Sequence, residues 1–197
     1  LLAKYGFRTL GKNNQIVGAP PGMNTVKKLR NLETKLTSLA REGEIGRFWY
    51  EDSSKTILEA VGGDVDEADK LIQAIAITSP QTPVNANFGF ALQAYNQYKA
   101  GLPIRTGKYP TAMSARLEKI FSGEDMPGRK INDFYNNLMI HIDPSRVGPV
   151  TGDIWMLRAF GFTKPNETPS DKQYEFITKV TQQIAKDLGW EPHQVQA

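Results

Sequence analysis

Two stretches decide how this sequence folds: residues 128–138 read GRKINDFYNNL, and residues 150–160 read VTGDIWMLRAF. Lys130 opens the first apolar helical pattern, and Asp153 opens the second. A short polar loop separates the two patterns, and such a loop can bring both side chains to one place. A lysine amine beside a carboxylate can perform covalent or acid–base chemistry. The spacing therefore makes Lys130 and Asp153 candidates for a catalytic pair.

Helical periodicity extends through most of the chain, because apolar residues recur at the spacing of one helix face. It predicts helices at residues 25–41, 48–61, 67–78, 84–99, 111–121, 130–140, 153–160 and 171–188, and the first turn of a further helix from Pro192 that the end of the chain cuts short. No segment alternates in the manner of a strand. We therefore predict an all-α fold, with residues 25–197 as one helical domain and the Gly-, Pro- and Asn-rich residues 1–24 as an extended arm.

Composition excludes several classes of site. The chain of 197 residues has no Cys, which excludes thiol catalysis, cysteine zinc sites and a cysteine-ligated iron–sulfur cluster. It has only two His, so a multi-histidine metal centre is not expected, and we predict no metal and no cofactor. No apolar run approaches the length of a membrane span. The net charge of +3 permits a polyanionic partner.

Three motifs follow one another in a recognisable order. Residues 71–85 read LIQAIAITSPQTPVN, residues 128–130 read GRK, and residues 153–158 read DIWMLR. In this order they resemble the helix-hairpin-helix superfamily of DNA base-excision glycosylases, the endonuclease III-like proteins. The resemblance spans roughly residues 65–160. It implies a two-lobed helical domain with a helix-hairpin-helix motif and an active-site cleft between the lobes.

The resemblance also implies a partner and a place of action. The expected partner is DNA, as a duplex or a single strand with an extruded base, bound by a monomeric protein without an iron–sulfur cluster. Residues 79–82 and 134–138 are closer to divergent, phage-associated members, some of which act in thymine hypermodification. We therefore expect a cytoplasmic protein of a bacterium or of a phage-infected host. The hairpin stretch, residues 124–128, has one glycine fewer than the family pattern.

The catalytic pair takes its roles from the same resemblance. Lys130 would attack the sugar C1′ and form a Schiff base, with the positive field of Arg129 favouring the neutral amine. Asp153 would stabilise an oxocarbenium-like sugar or accept a proton. Each residue also has an ordinary interpretation. Lys130 could be a solvated lysine at a helix start, and Asp153 could be an N-cap.

Further residues are candidates for contact with DNA. Gly128 and Arg129, which leave the hairpin, would help to bind DNA, and the hairpin would hold a phosphate through backbone N–H groups. Gln81 and Asn85 would fill the space of a flipped base or line its pocket, or else serve as turn and cap residues. Trp155 and Tyr135 would stack on a base, although aromatics on apolar helices more often belong to the core. Asn137, like its neighbour Asn136, would hydrogen-bond a pyrimidine edge or lie exposed.

Three functions remain open from the sequence. The first is a base-excision glycosylase that acts on a damaged or modified base. The second is a phage pyrimidine-hypermodification enzyme that uses the same site to displace diphosphate from a modified base. The third is a non-catalytic DNA-binding module that keeps the fold alone.

Overall fold

The computed structural model describes residues 5–10, 13–146, 148–163 and 168–197. The chain divides into two compact units. The first unit combines Leu1–Trp49 with Val150–Ala197, and the second unit is Tyr50–Pro149. Within the described residues there are nine α-helices and one hairpin of two short strands, which confirms the all-α prediction at the level of fold class.

The second unit is built around one buried helix. Its helices are α2 (Trp49–Ala60, of which the first residue belongs to the first unit), α3 (Val65–Thr78), α4 (Val84–Lys99), α5 (Pro110–Phe121) and α6 (Arg129–Met139). The apolar α3 packs against α4, α5 and α6. All residues from 74 to 78 are buried, which is the pattern expected of a helix enclosed by others.

A buried polar contact joins α3 to α4. The Thr78 hydroxyl donates to Asn87 Oδ1 at 2.5 Å, and Asn87 Nδ2 donates to the carbonyl of Ile75 at 3.1 Å. Thr78 is fully buried, and Asn87 is 7% exposed. Because buried polar groups are costly unless they are paired, this contact fixes how α4 lies on α3.

The first unit contains α1 (Val26–Glu42), a 3₁₀ turn at Glu44–Gly46, α7 (Ile154–Phe160), α8 (Asp171–Leu188) and α9 (Pro192–Gln196). Helices α1 and α7 pack on α8 around the buried Leu29, Leu157 and Phe176. Among the described residues, no helix combines the length and the apolar character that crossing a membrane requires.

The predicted extended arm is wrong for its described part, residues 5–10 and 13–24. Strand β1 (Thr9–Leu10) pairs antiparallel with β2 (Gln15–Ile16). Tyr5 and Ile16 are buried in the core of the first unit. Residues 1–4, 11 and 12 lie outside the described part. The segment packs closely against α8, because a Cβ added at Gly18 would lie 1.9 Å from the carbonyl oxygen of Lys172.

Candidate functional site

Asp153 occupies the N-cap of α7. Its Oδ1 accepts a hydrogen bond from the backbone N–H of Met156 at 2.9 Å. The carboxylate therefore satisfies one of the free N–H groups at the helix start, as the cap interpretation requires. Asp153 is only half-buried, so the carboxylate is not sealed in the core. The cap role and a chemical role are compatible at this position.

A buried tyrosine fixes the segment that leads into Asp153. The Tyr174 hydroxyl accepts from the N–H of Gly152 at 2.7 Å and donates to the carbonyl of Val150 at 3.1 Å. A Cβ at Gly152 would lie 2.8 Å from the Tyr174 ring, so the backbone passes directly over that ring. Tyr174 thus positions the start of α7. Its place on α8, 21 residues after Asp153 in the chain, gives no local sequence signal of this role.

Trp155 lies on the outer surface of α7 and is 67% exposed. The Arg158 guanidinium lies 4.5 Å from the centre of its ring. An exposed indole beside a cation is a surface on which a nucleobase can stack. The structure places Trp155 outside the core, where the stacking interpretation needs it.

Lys130 lies in the first turn of α6 and is partly buried. The described residues supply no hydrogen-bond or ion-pair partner to its amine. A cation in the first helical turn is disfavoured by the helix dipole, and among the described residues no carboxylate forms an ion pair with this amine to offset that cost. The side chain therefore has no structural explanation in the part of the chain that the structure describes.

The two residues that precede Lys130, Gly128 and Arg129, both have local structural roles. Gly128 is the exposed N-cap of α6, with a φ of 67° that favours glycine. The neighbouring Arg129 is exposed, and its Nε lies 3.7 Å from Oδ2 of Asp133. This ion pair offsets part of the positive field that Arg129 was expected to supply to Lys130.

Gln81 and Asn85 are both exposed at the turn between α3 and α4. Gln81 has a φ of 56°, which is unusual for a residue with a side chain. Two contacts hold it there: the Tyr109 hydroxyl donates to Gln81 Oε1 at 2.7 Å, and Lys108 Nζ donates to its carbonyl at 3.1 Å. An exposed residue held in a strained conformation is often functional.

Two predicted contact residues are buried instead, and both predictions are wrong. Tyr135 is 7% exposed, and its hydroxyl donates to Oδ1 of Asp69 at 2.6 Å. The Arg146 guanidinium lies 5.1 Å from the centre of its ring. Asn137 is fully buried. Neither side chain can stack on a base or contact its edge, because packing within the second unit already covers both.

Burial also changes the acid–base behaviour of Tyr135. Burial, together with the hydrogen bond to Asp69, raises the pKa of Tyr135 to about 12. The same carboxylate accepts a second hydrogen bond, from Gln73 Nε2 at 3.1 Å. Tyr135 therefore acts as a neutral hydrogen-bond donor that ties α6 to α3.

The two residues of the predicted pair belong to different units: Lys130 to the second and Asp153 to the first. Their convergence on one substrate stays a prediction. Each unit keeps surface residues that could contact a substrate. In the first unit these are Trp155 and Arg158, beside Asp153. In the second unit these are Lys130 and the turn at Gln81.

The chain belongs to a family described as a family of unknown function, DUF7178, because the model of that family matches residues 34–197. No curated protein and no solved structure matches the chain. Membership of the family therefore brings no activity with it, and a function has to be argued from the residues.

Proposed function

We propose that this member of the DUF7178 family is a helix-hairpin-helix glycosylase-like enzyme that acts on a damaged or modified base in DNA. Lys130 is the amine nucleophile, and Asp153 is the carboxylate that stabilises positive charge on the sugar or handles a proton. Trp155 is the stacking surface for a base.

One observation carries the proposal. Lys130 is partly buried at a helix start, and within the described residues its amine has neither a hydrogen bond nor an ion pair. A lysine that serves only a local electrostatic role would be expected to pair with a carboxylate. An amine without such a partner can attack an electrophile once it has lost its proton. The link between α5 and α6, residues 122–128, also ends at Gly128 directly before this helix, as a hairpin that leads into a lysine requires.

A second candidate keeps the same two residues and changes the reaction. Displacement of diphosphate from a modified pyrimidine needs a nucleophile and a carboxylate but no cleavage of the base–sugar bond. The hairpin stretch, residues 124–128, has one glycine fewer than the family pattern, and this feature favours the third function, a non-catalytic module, over both enzymes. A hairpin without the second glycine has one fewer position at which the backbone can approach a duplex phosphate closely.

The test begins with borohydride trapping on DNA that contains abasic, damaged or modified sites, in duplex and single-stranded form. We expect a covalent enzyme–DNA adduct with the natural chain and none with Lys130→Ala. Lys55→Ala, which removes an exposed lysine of the same unit, is the matched control and should trap normally. Lys130→Ala should unfold at the same temperature or slightly higher, because it removes a cation from a helix N-terminus.

Asp153→Asn separates the two roles of the aspartate. Asparagine is as good an N-cap as aspartate, so the stability of α7 should change little. The loss of the negative charge should lower turnover by about 100-fold or more. Turnover unchanged in Asp153→Asn would show that the carboxylate serves only as a cap.

The products distinguish the three functions. Base release and strand cleavage support the glycosylase. Diphosphate release from DNA that carries a pyrophosphorylated hydroxymethylpyrimidine, without a trapped adduct, supports the second candidate. DNA binding that is the same in the natural chain, Lys130→Ala and Asp153→Asn, with no turnover, would refute the enzyme and leave a DNA-binding module.

A further inference from the structure

Helix α4 presents an apolar stripe that the described residues of the second unit leave exposed. Val84, Phe88 and Leu92 are spaced by four residues and therefore lie on one face. They are 65%, 40% and 38% exposed. The buried Asn87 and Ala91 lie on the adjoining face of the helix, which packs on α3. The stripe thus continues the inner apolar face of α4 outward onto the surface of the helix.

The stripe is also free of charge. Residues 84–98 contain no Asp, Glu, Lys or Arg, and the first charged residue of α4 is Lys99 at its end. An exposed helix face is normally rich in charged residues, which keep it in water. A partner for this face needs no opposite charge, and a second copy of the face meets no like-charge repulsion.

The spacing of the stripe is self-complementary. In an antiparallel pair centred on Phe88, Val84 of one copy faces Leu92 of the other, and the two Phe88 rings meet at the twofold axis. Gly89 lies next to Phe88, and a Cβ built there has nothing within 4 Å, so the surface beside this centre is open. We infer that α4 is a self-association surface through which two copies of the chain form an antiparallel, twofold-symmetric dimer.

A groove beside the stripe receives the second copy. It has a volume of about 400 Å³ and is lined by residues that include Gly89, Leu92, Asn96 and Leu102. Leu102 is itself 59% exposed. In the antiparallel register the facing residue at Leu92 is Val84, the most exposed member of the stripe. Val84 of each copy therefore enters the groove of the other.

The size of the stripe determines the strength of the dimer. Three apolar side chains and one groove on each copy provide less than the roughly 800 Å² per partner of a standard interface. The dimer is therefore weak and depends on concentration, and the chain is a monomer when dilute.

Sedimentation equilibrium should give a mass that rises from monomer toward dimer with concentration. Phe88→Glu, which brings two carboxylates together at the axis, should weaken association more than about tenfold, whereas Phe88→Leu should preserve it.

The absence of native cysteine allows a direct test of the register, since each introduced cysteine is the only one in its chain. Under mild oxidation Phe88→Cys should cross-link to itself, and a mixture of Val84→Cys and Leu92→Cys should cross-link to each other. Val84→Cys alone should not, because its two copies lie about 12 Å apart along the helix axis, beyond disulfide reach. Ile45→Cys, at a fully exposed apolar residue outside α4, is the control for random collision.

The inference holds if Phe88→Cys forms disulfide-linked dimers at least about tenfold faster than Ile45→Cys, and if Phe88→Glu weakens association as stated above. It is overturned if Phe88→Cys is no faster than the control, or if Val84→Cys alone cross-links as fast as Phe88→Cys. It is also overturned if the chain stays monomeric at high concentration, in which case the stripe serves another partner or none. Circular dichroism of each variant excludes unfolding as the cause of a negative result.

Discussion

The hydrogen bond between Tyr135 and Asp69 leads to a prediction in which the size of the stability difference depends on pH. Tyr135→Phe keeps the buried ring and removes only the hydroxyl, which donates to the carboxylate at 2.6 Å. A hydrogen bond to a charged acceptor contributes about 1.5–3 kcal/mol. At neutral pH the natural chain should therefore exceed Tyr135→Phe in unfolding free energy by about 2 kcal/mol.

At high pH the difference should shrink. Burial and the hydrogen bond to Asp69 raise the pKa of Tyr135 to about 12, whereas an unfolded tyrosine has a pKa of about 10. Below pH 10 both states keep the proton, and the stabilisation is fully present. Between these two values the unfolded chain loses the proton first and so binds fewer protons than the folded chain. The unfolding free energy then falls by about 1.4 kcal/mol per pH unit, or roughly 2–3 kcal/mol in all.

The variant lacks this ionisation, so the curves of the two proteins should converge by a pH of about 11–12. Urea unfolding followed by circular dichroism at several pH values measures the difference. Circular dichroism is preferred to tryptophan fluorescence, which would report on the wrong unit. Trp49, Trp155 and Trp190 all belong to the first unit, while Tyr135 belongs to the second. Asn87→Ala, which removes a buried polar group that does not titrate, is the control and should give the same difference at every pH. A difference for Tyr135→Phe that stays constant or grows toward high pH would refute the reasoning.

Three further substitutions test the packing. Asn87→Ala should lower the unfolding free energy by about 2 kcal/mol in urea titrations, because it removes the polar contact between α3 and α4. Gly18→Ala should lower the free energy of unfolding by about 3 kcal/mol or more in thermal unfolding, since the new methyl group would meet the backbone of α8. Its control is Gly62→Ala, at a similar φ with open space around it, which should lower that free energy by only about 1–2 kcal/mol. Tyr174→Phe should cost about 1–3 kcal/mol by leaving the buried N–H of Gly152 unpaired, and, if Asp153 is functional, should also lower turnover.

Local signals in the sequence predicted the helices well. The bounds of α4 and α8 agree with the structure at both ends, because Pro83, Ser170 and Gly189 mark helix boundaries with residues of strong preference. The capping box at Ser170 and Gln173 is a complete signal within four residues. The remaining helix ends fall within two residues of the predicted positions.

The errors came from features that no local pattern contains. Strands of two residues are too short to alternate, so the hairpin of β1 and β2 was missed. The buried position of Tyr135 depends on its hydrogen bond to Asp69, which lies 66 residues earlier in the chain. The exposure of Trp155 could not be assigned, because a helix of seven residues has too few turns to specify which face is buried.

Asp153 and Lys130 do not support an enzymatic function equally. The carboxylate of Asp153 has a complete structural role, since it caps α7, and the segment before it is fixed by Tyr174. A protein that needed only a stable helix would keep an aspartate there. Lys130 has the opposite character. Its charge lies where the helix dipole opposes it, and in the described part of the chain its amine has no partner. Natural chains keep such locally unfavourable groups mainly at functional sites, so the chemical argument rests first on Lys130, and Asp153 follows only if the asparagine variant loses activity while retaining its cap.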